Sequence, residues 1–283
     1  MSSFYHGETP VVIGGLGGSG TRLIAKIIKE LGYFIGDDLN ESYDNLWFTL
    51  MFKRTEILAA PDDEFEELLG LFLKGMKGDI KFSESEQERV YALSRIDREL
   101  HPASWLKERA RSIIAHNLSC DRLDLYGWKE PNSHIVIDRL VKFLPHMRYI
   151  HVIRNGLDMA HSRNQNQLSF WGKYFIGENC QITPYFSLKY WHIINRRVME
   201  LCKPMGDRFL LLDYDKLCTY PEKGLRELLE FLEFDAPDIH IRDLTNVVEY
   251  PKSIGRFRQH GMHIYDPDDV VFVKDLGFDV DVV

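Results

Sequence analysis

The stretch Val11–Leu23 reads VVIGGLGGSGTRL and joins a short apolar run to a glycine-rich turn and then to a helical pattern. The apolar run Val11–Ile13 predicts a strand, and the apolar residues that recur after Thr21 predict an amphipathic helix. Five glycines fall within the seven residues Gly14–Gly20, which is more than a tight turn needs. Backbone N–H groups in such a turn point inward, and the helix N-terminus adds the positive end of its dipole. The stretch therefore predicts a strand–loop–helix unit that binds phosphate or sulfate.

This loop differs from the Walker pattern G-x-x-x-x-G-K-[ST] of nucleoside triphosphatases. Gly15 and Gly20 have the required spacing, but Thr21 stands in place of the lysine and Arg22 in place of the serine or threonine. The lysine that contacts the β- and γ-phosphates and the hydroxyl that binds magnesium are therefore both missing. The loop therefore predicts an anion site that differs from the triphosphate site of nucleoside triphosphatases.

The composition is typical of a globular protein with an acidic balance. The 283 residues carry a net charge of −8 and are 45% hydrophobic. This charge does not favour nucleic acid as a partner. The sequence has neither an apolar run of about 18 residues nor a secretory-signal pattern at its start, so we expect no membrane segment and a cytoplasmic location. The four scattered cysteines, Cys120, Cys180, Cys202 and Cys218, predict buried free thiols.

Strand and helix patterns alternate along the chain, which predicts an α/β fold with a parallel sheet between two helical layers. Strands are predicted near 10–15, 33–36, 123–128, 149–153 and 208–212, and helices near 20–32, 84–99, 103–117, 132–143, 156–165, 184–203 and 221–233. We expect a single domain over residues 1–283, with a helical insertion at about 44–117. Within the insertion, Asp62 or Asp63 is the expected N-cap of a helix that contains Phe65 and Met76.

Three polar clusters follow predicted strands, at Gly14–Arg22, Trp128–Pro131 and Arg154–Ser162. The carboxyl ends of parallel strands meet at one edge of the sheet, and ligands of such sheets bind there. We therefore expect the three clusters to form one site.

Together these clusters resemble the motifs of sulfotransferases that use 3′-phosphoadenosine 5′-phosphosulfate (PAPS). GGSGTR at 17–22 resembles the family's 5′-phosphosulfate loop, [KR]-[ST]-G-T-[TS]. RNGLD at 154–158, with Ser162 eight residues after Arg154, resembles the 3′-phosphate motif R-N-P-x-D-x-x-x-S. In that motif an arginine fork and a serine hydroxyl bind the same anion.

Three further segments extend the resemblance along the chain. WKEP at 128–131 resembles the K-x-P element, and LDYDKL at 212–217 resembles the Y-E-D-L element, whose tyrosine lies near the nucleotide. SIGRFR at 253–258 resembles the basic segment that closes over the 3′ end of the donor. The five elements occur in the order that the family shows.

The resemblance implies a nucleotide-binding fold of the P-loop type, PAPS as the donor and no metal. The implied donor contacts are Gly17, Gly18, Ser19, Gly20, Thr21, Arg22, Arg154, Ser162, Tyr214 and Arg256. Lys129 is implied on the leaving-group side of an in-line transfer to an acceptor hydroxyl. The family has Lys or Arg where this chain has Gly18, so Lys129 and Arg22 are the candidates to supply that charge.

The acceptor hydroxyl needs a general base. Gly36-Asp37-Asp38 resembles the Gly-Glu-Glu of tyrosylprotein sulfotransferases, which makes Asp38 the first candidate and Asp37 the second. Glu130 and His134 are alternatives. The acceptor could be a sugar, a small alcohol or phenol, or a protein tyrosine. The aromatic-rich segment 165–192 is either a wall of its pocket or a packing surface.

Two other functions stay open at this point. One is a small-molecule kinase or similar phosphotransferase, against which the missing Walker residues count. The other is a catalytically silent nucleotide-binding module, which Gly18 favours.

Overall fold

The computed structural model describes residues 9–78, 81–117, 125–235 and 238–281, without the side chains of residues 238–240. The strands are β1 (Val11–Gly15), β2 (Gly127–Lys129), β3 (Arg148–Ile153) and β4 (Phe209–Asp213). The α-helices are α1 (Thr21–Glu30), α2 (Leu46–Phe52), α3 (Asp62–Lys77), α4 (Glu84–Ala92), α5 (Ala103–Ala115), α6 (Ile137–Phe143), α7 (Gly156–Ala160), α8 (Asn166–Phe175), α9 (Pro184–Cys202), α10 (Tyr214–Thr219), α11 (Pro221–Phe231), α12 (Asp238–Thr245) and α13 (Pro267–Asp275). Short 3-10 helices cover Thr55–Leu58, Pro131–Val136, Lys203–Arg208, Arg256–Gln259 and Met262–Ile264.

The four strands form one parallel sheet in the order β2-β1-β3-β4. At the centre, Ile13 of β1 pairs with Lys129 of β2 on one side and with Ile150 of β3 on the other. The parallel sheet expected from the alternation of strands and helices is confirmed. All four strands point the same way, so the segments that follow them meet at one edge.

The sheet separates two apolar layers, because successive side chains of a strand face opposite sides. Val11 and Ile13 face the layer of α1, α10, α11 and α12, whereas Val12 faces the layer that includes α2, α3, α5, α6, α8 and α9. The three-layer α/β architecture is thus confirmed.

The helical segment expected at about 44–117 contains α2 to α5, which cover the β2 side of the sheet. Its aromatic side chains pack on Trp128 of β2. The rings of Phe48 and Trp128 stack with centroids 5.9 Å apart, and Phe72 meets Trp128 edge-on at 5.1 Å. These helices thereby support the strand whose last residue is Lys129. That the chain is a single domain stays a prediction.

Several local expectations differ from the structure. The strand expected at 33–36 is only a single bridge between Phe34 and Tyr126. The helix expected to reach 165 ends at Ala160, and the Ser162 hydroxyl accepts a hydrogen bond from the Asn164 N–H in the turn that follows. The helix α3 already starts at Asp62, so Pro61 rather than Asp62 or Asp63 is its N-cap.

Some expectations fall partly outside the described residues. Residues 123 and 124 of the expected strand and Cys120 lie outside them. Cys202 and Cys218 are buried free thiols as expected, and Cys180 is a half-buried free thiol. No helix in the described part of the chain is both long and apolar enough to cross a bilayer.

Candidate functional site

The glycine-rich loop between β1 and α1 has a backbone that only glycine adopts readily. Gly18 and Gly20 have φ values of 93° and 103°, in the left-handed region. A Cβ on Gly20 would lie 2.0 Å from Cδ2 of Tyr214. The loop therefore depends on glycine both for its turn and for its close approach to the tyrosine ring.

The loop leaves hydrogen-bond donors unpaired at the N-terminus of α1. The N–H of Ser19 donates to Leu16 O at 3.0 Å, but among the described residues the N–H groups of Gly18, Gly20 and Thr21 have no partner. No side chain caps α1, and the buried Ser19 hydroxyl also lacks a partner within the described chain. Unpaired N–H groups at a ten-residue helix and an unpaired buried hydroxyl fit an anion.

A cleft with a volume of about 660 Å³ opens in front of this loop. It is lined by Gly17, Gly18, Gly20, Thr21, Arg22, Leu23, Lys26, Glu41, Ser42, Tyr43, Asp44, Lys129, Pro131, Asn164, Tyr214, Val247 and Glu249. The end of β1, the end of β2 and the start of α10 after β4 therefore meet at one cleft, as the parallel sheet requires.

Lys129 is the last residue of β2 and is only 2% exposed. Its Nζ donates to Ser42 O at 3.0 Å and forms an ion pair with the carboxylate of Asp44. The N–H of Asn45 donates to Lys129 O at 2.7 Å, which fixes the segment before α2 against the strand end. A buried ammonium and a carboxylate are thus held together beside the glycine-rich loop.

Asp37 and Asp38 point to other partners. Asp38 Oδ2 lies 2.8 Å from Arg109 Nε, and Asp37 Oδ2 lies 3.0 Å from His116 Nδ1. Burial raises the pKa of Asp38, and the Arg109 guanidinium opposes that effect. In the described part of the chain, neither aspartate lines the cleft.

Glu130 and His134, the other base candidates, are also inside the protein. Glu130 is 1% exposed, and its carboxylate accepts hydrogen bonds from the backbone N–H and the side-chain amide of Asn132. Burial lowers the pKa of His134 to about 3. Neither residue lines the cleft as the structure describes it.

A second cationic cluster lies beside Tyr214. Arg154 Nη2 donates to Ser253 Oγ at 2.7 Å, its Nε lies 3.3 Å from Asp215 Oδ1, and its Cζ lies 5.4 Å from the centre of the Tyr214 ring. Burial lowers the pKa of Arg256, and the neighbouring Arg154 lowers it further. An anion between the two guanidinium groups would offset the repulsion that disfavours the charged form of Arg256.

The carboxylate of Asp158 fixes the segment that contains Arg256. Its carboxylate oxygens accept hydrogen bonds from the N–H of Gly255 at 2.8 Å and from the N–H of Phe257 at 3.1 Å. Asp158 is fully buried in α7, four residues after Arg154. The two halves of the cationic cluster are therefore joined through one buried carboxylate.

The sequence was then compared with known proteins. The family model described as "Sulfotransferase family" matches residues 10–238, which include the glycine-rich loop, Lys129, Arg154 and Tyr214 but not Arg256. This chain belongs to the sulfotransferase family. No match was found among curated protein sequences.

Solved sulfotransferases share the fold at low identity. The sulfotransferase domain from the curacin biosynthetic pathway is 10% identical with a TM-score of 0.53, covering 97% of this chain and 99% of that one. The sulfotransferase domain of the Synechococcus PCC 7002 olefin synthase is 16% identical with a TM-score of 0.49, covering 99% and 100%. Mouse sulfotransferase SULT7A1, solved with PAP, is 15% identical with a TM-score of 0.45, covering 97% and 85%.

Most residues expected at the site of this sulfotransferase lie close together. Gly17, Gly18, Gly20, Thr21, Arg22, Lys129 and Tyr214 line the cleft, with Ser19 buried behind it. Ser162 also lies close, since its Oγ is 3.6 Å from where a Cβ on Gly18 would stand. Arg154 lies over the ring of Tyr214, and both Arg154 and Arg256 donate to Ser253, whereas Asp37 and Asp38 contact other partners.

Sequence reasoning missed Asp44. The pair Asp44-Asn45 precedes an apolar run, which is typical of a helix start, and Asn45 does cap α2 by accepting the N–H of Phe48 at 2.9 Å. Nothing in the local sequence distinguishes the neighbouring aspartate, because its partner Lys129 is 85 residues away.

Proposed function

We propose that this sulfotransferase moves a sulfuryl group from PAPS to an acceptor hydroxyl. The observation that carries the proposal is a pair of candidate anion-binding regions that both adjoin Tyr214. One is the glycine-rich loop at the N-terminus of α1, and the other is the pair Arg154 and Arg256. A nucleotide with anionic groups at both its 5′ and 3′ positions matches that arrangement.

Each of the two regions would bind one end of the donor nucleotide. The free N–H groups of the loop and the Ser19 hydroxyl would hold the 5′ end, since they have no hydrogen-bond partner within the described residues. Arg154 and Arg256, with the Ser162 hydroxyl, would hold the 3′-phosphate through charged hydrogen bonds. Tyr214 lies next to Gly20 of the loop and under the Arg154 guanidinium, and its ring could pack against the nucleotide.

The donor supplies the sulfuryl group, and 3′,5′-phosphoadenosine (PAP) is the leaving group. A bond forms from the acceptor oxygen to sulfur in line with the breaking bond to the 5′-phosphate oxygen. Lys129 counters the charge on the departing oxygen, which suits a buried ammonium at the strand end. Asp44 takes the proton of the acceptor hydroxyl.

The choice of Asp44 rests on its position. It is the carboxylate paired with Lys129, and it lines the cleft together with Glu41. Asp38, the base expected from the sequence, is paired with Arg109 instead. Arg22, Lys26 and Lys129 are cations that line the cleft, and Arg22 and Lys129 remain the candidates to compensate for Gly18. The acceptor class remains a hydroxyl-bearing sugar, alcohol, phenol or protein tyrosine.

The test combines binding and turnover. PAP should stabilise the protein in a thermal-shift assay, and sulfur-labelled PAPS should transfer its label to a member of a library of sugars, phenols, alcohols and tyrosine peptides. ATP with magnesium serves as the comparison nucleotide. PAP binding without label transfer or donor consumption would favour a silent module.

Turnover should be independent of metal. The loop lacks the lysine and hydroxyl that hold magnesium with a triphosphate, and protein cations face the cleft instead. The initial rate should therefore be unchanged by EDTA. Loss of activity in EDTA and its recovery with magnesium would favour the phosphotransferase alternative.

A further inference from the structure

Gln167 is a buried side chain of α8 that contacts the glycine-rich loop. It lies in the first turn of the helix and is 8% exposed. Its Oε1 accepts a hydrogen bond from the Gly17 N–H at 3.1 Å. Its Nε2 lies 3.3 Å from Asn132 Oδ1 and 3.5 Å from Gly15 O. One amide therefore contacts the end of β1, the loop and the segment after β2.

Asn132 extends these contacts toward the end of β2. Its Oδ1 also accepts a hydrogen bond from Trp171 Nε1 at 2.9 Å, and its Nδ2 donates to Glu130 Oε1 at 2.9 Å. Trp171 is fully buried, and Glu130 directly follows Lys129 in the chain. The side chains of Gln167, Asn132, Trp171 and Glu130 thus form one buried polar network between the loop and the strand end.

We infer that Gln167 is a positioning residue that holds the glycine-rich loop in its anion-binding form and, through Asn132, ties the loop to the strand end that carries Lys129. The effect on nucleotide affinity rests on the proposed function, whereas the effect on the loop does not.

The physical reason is the high backbone entropy of glycine. A loop rich in glycine has many accessible conformations, and each residue that must be ordered on binding reduces affinity. Gln167 engages the Gly17 N–H, while the N–H groups of Gly18, Gly20 and Thr21 stay unpaired in the described structure. The loop is therefore ordered before an anion arrives, which favours binding.

Hydrogen–deuterium exchange of the loop amides tests the inference without any nucleotide. Gln167→Met keeps the length of the side chain and removes its hydrogen bonds, so exchange of the paired loop amides of Gly17 and Ser19 should become faster. Gln167→Glu keeps an acceptor for the Gly17 N–H and should retain most of the protection. Gln87→Met is the matched control, since it removes a glutamine hydrogen bond to Phe82 O in the distant helix α4.

Calorimetry with PAP supplies the second measurement. Gln167→Met should weaken PAP binding about tenfold, the loss expected for one or two hydrogen bonds, and Gln87→Met should not change it. Thermal unfolding of both variants shows whether they are folded. Loop exchange in Gln167→Met equal to that of the wild type would overturn the inference. If the wild type binds no PAP, the proposed function fails, and the exchange result alone decides the role of Gln167.

Discussion

At the scale of single residues, the burial of a charged side chain and the groups that it contacts decide whether it can take part in the proposed reaction. Lys129 and Asp44 face the cleft as a pair, while Asp38 and Arg109 form a similar pair away from it. The two aspartates have the same chemistry and differ in what their carboxylates contact. A comparison of the two is therefore the sharpest test of the base.

Asp44→Asn should lower kcat/KM for the acceptor by about 10²–10⁴-fold, the usual contribution of a positioned base. PAP affinity should change little, because a base acts mainly on the chemical step. Asp38→Asn is the matched control and should keep wild-type turnover in the same steady-state assay. The opposite result, with Asp38→Asn inactive and Asp44→Asn active, would identify Asp38 as the general base, as the sequence predicts.

Arg154→Ala should weaken PAP binding by about 1.5–3 kcal/mol, because a charged hydrogen-bond partner of the 3′-phosphate is lost. Adenosine 5′-phosphosulfate lacks that phosphate and should lose much less. Calorimetry with the two ligands measures the difference, and Arg163→Ala removes an exposed arginine of the same region as control. Equal losses for both ligands would contradict the assignment of Arg154 to the 3′ end.

At the scale of elements, the site depends on how the loop before α1 fits against α10. Gly20 is the residue at which the two meet, since its missing side chain leaves room for the Tyr214 ring. The segment after α12 is likewise held against α7 by Asp158. Contacts between elements far apart in sequence thus shape both regions that we propose to bind the donor's anionic groups.

Gly20→Ala should weaken PAP binding and lower stability. The left-handed φ alone costs about 1–3 kcal/mol in a residue with a side chain, and the new Cβ would also overlap Tyr214. Gly177→Ala separates the two causes, because Gly177 has a φ of 129° with no atom within 4 Å of its Cβ position. Thermal unfolding and PAP calorimetry should show a stability loss in both variants and an affinity loss in Gly20→Ala only. An affinity loss in both would mean that the contact with Tyr214 is not responsible.

At the scale of the whole molecule, the parallel sheet brings the ends of all its strands to one edge, and charges accumulate there. Burial of such charges costs stability. Asp215, which follows β4, is an example, since burial raises its pKa to about 6 despite the N–H of Asn155 and the guanidinium of Arg154.

Asp215→Asn should become more stable relative to the wild type as the pH rises. The pKa of Asp215 is raised from 3.8 to about 6 on folding, so the folded state favours the protonated acid. The contribution of Asp215 to the free energy of unfolding is therefore most favourable below pH 3.8 and is lost as the pH rises through 6. The difference in unfolding free energy should approach about 3 kcal/mol at most above pH 7. Thermal or urea unfolding from pH 4 to 8 measures it, and a constant difference across that range would contradict the assignment.

Local patterns in the sequence determine the elements and the loop. The apolar run Val11–Ile13, the glycines that follow it and the helical spacing after Thr21 predict β1, the loop and α1 where the structure has them. The alternation of strands and helices likewise predicts the parallel three-layer fold. Short-range periodicity is sufficient here because each pattern is decided by neighbours within a few residues. The bridge at Phe34 and the early end of α7 differ because tertiary contacts and side-chain hydrogen bonds override weak local preferences.

The tertiary structure alone decided which carboxylate meets the buried lysine and what holds the loop. The sequence pointed to Asp38 as the base and not to Asp44, yet Asp38 faces Arg109 and Asp44 faces Lys129. Gln167 gave no sequence signal, although it contacts Gly17 from 150 residues away. Such pairs depend on how α2, α5 and α8 pack against the sheet. A sequence records the chemistry of each residue, but the partner of a charge or an amide is set by packing between distant segments.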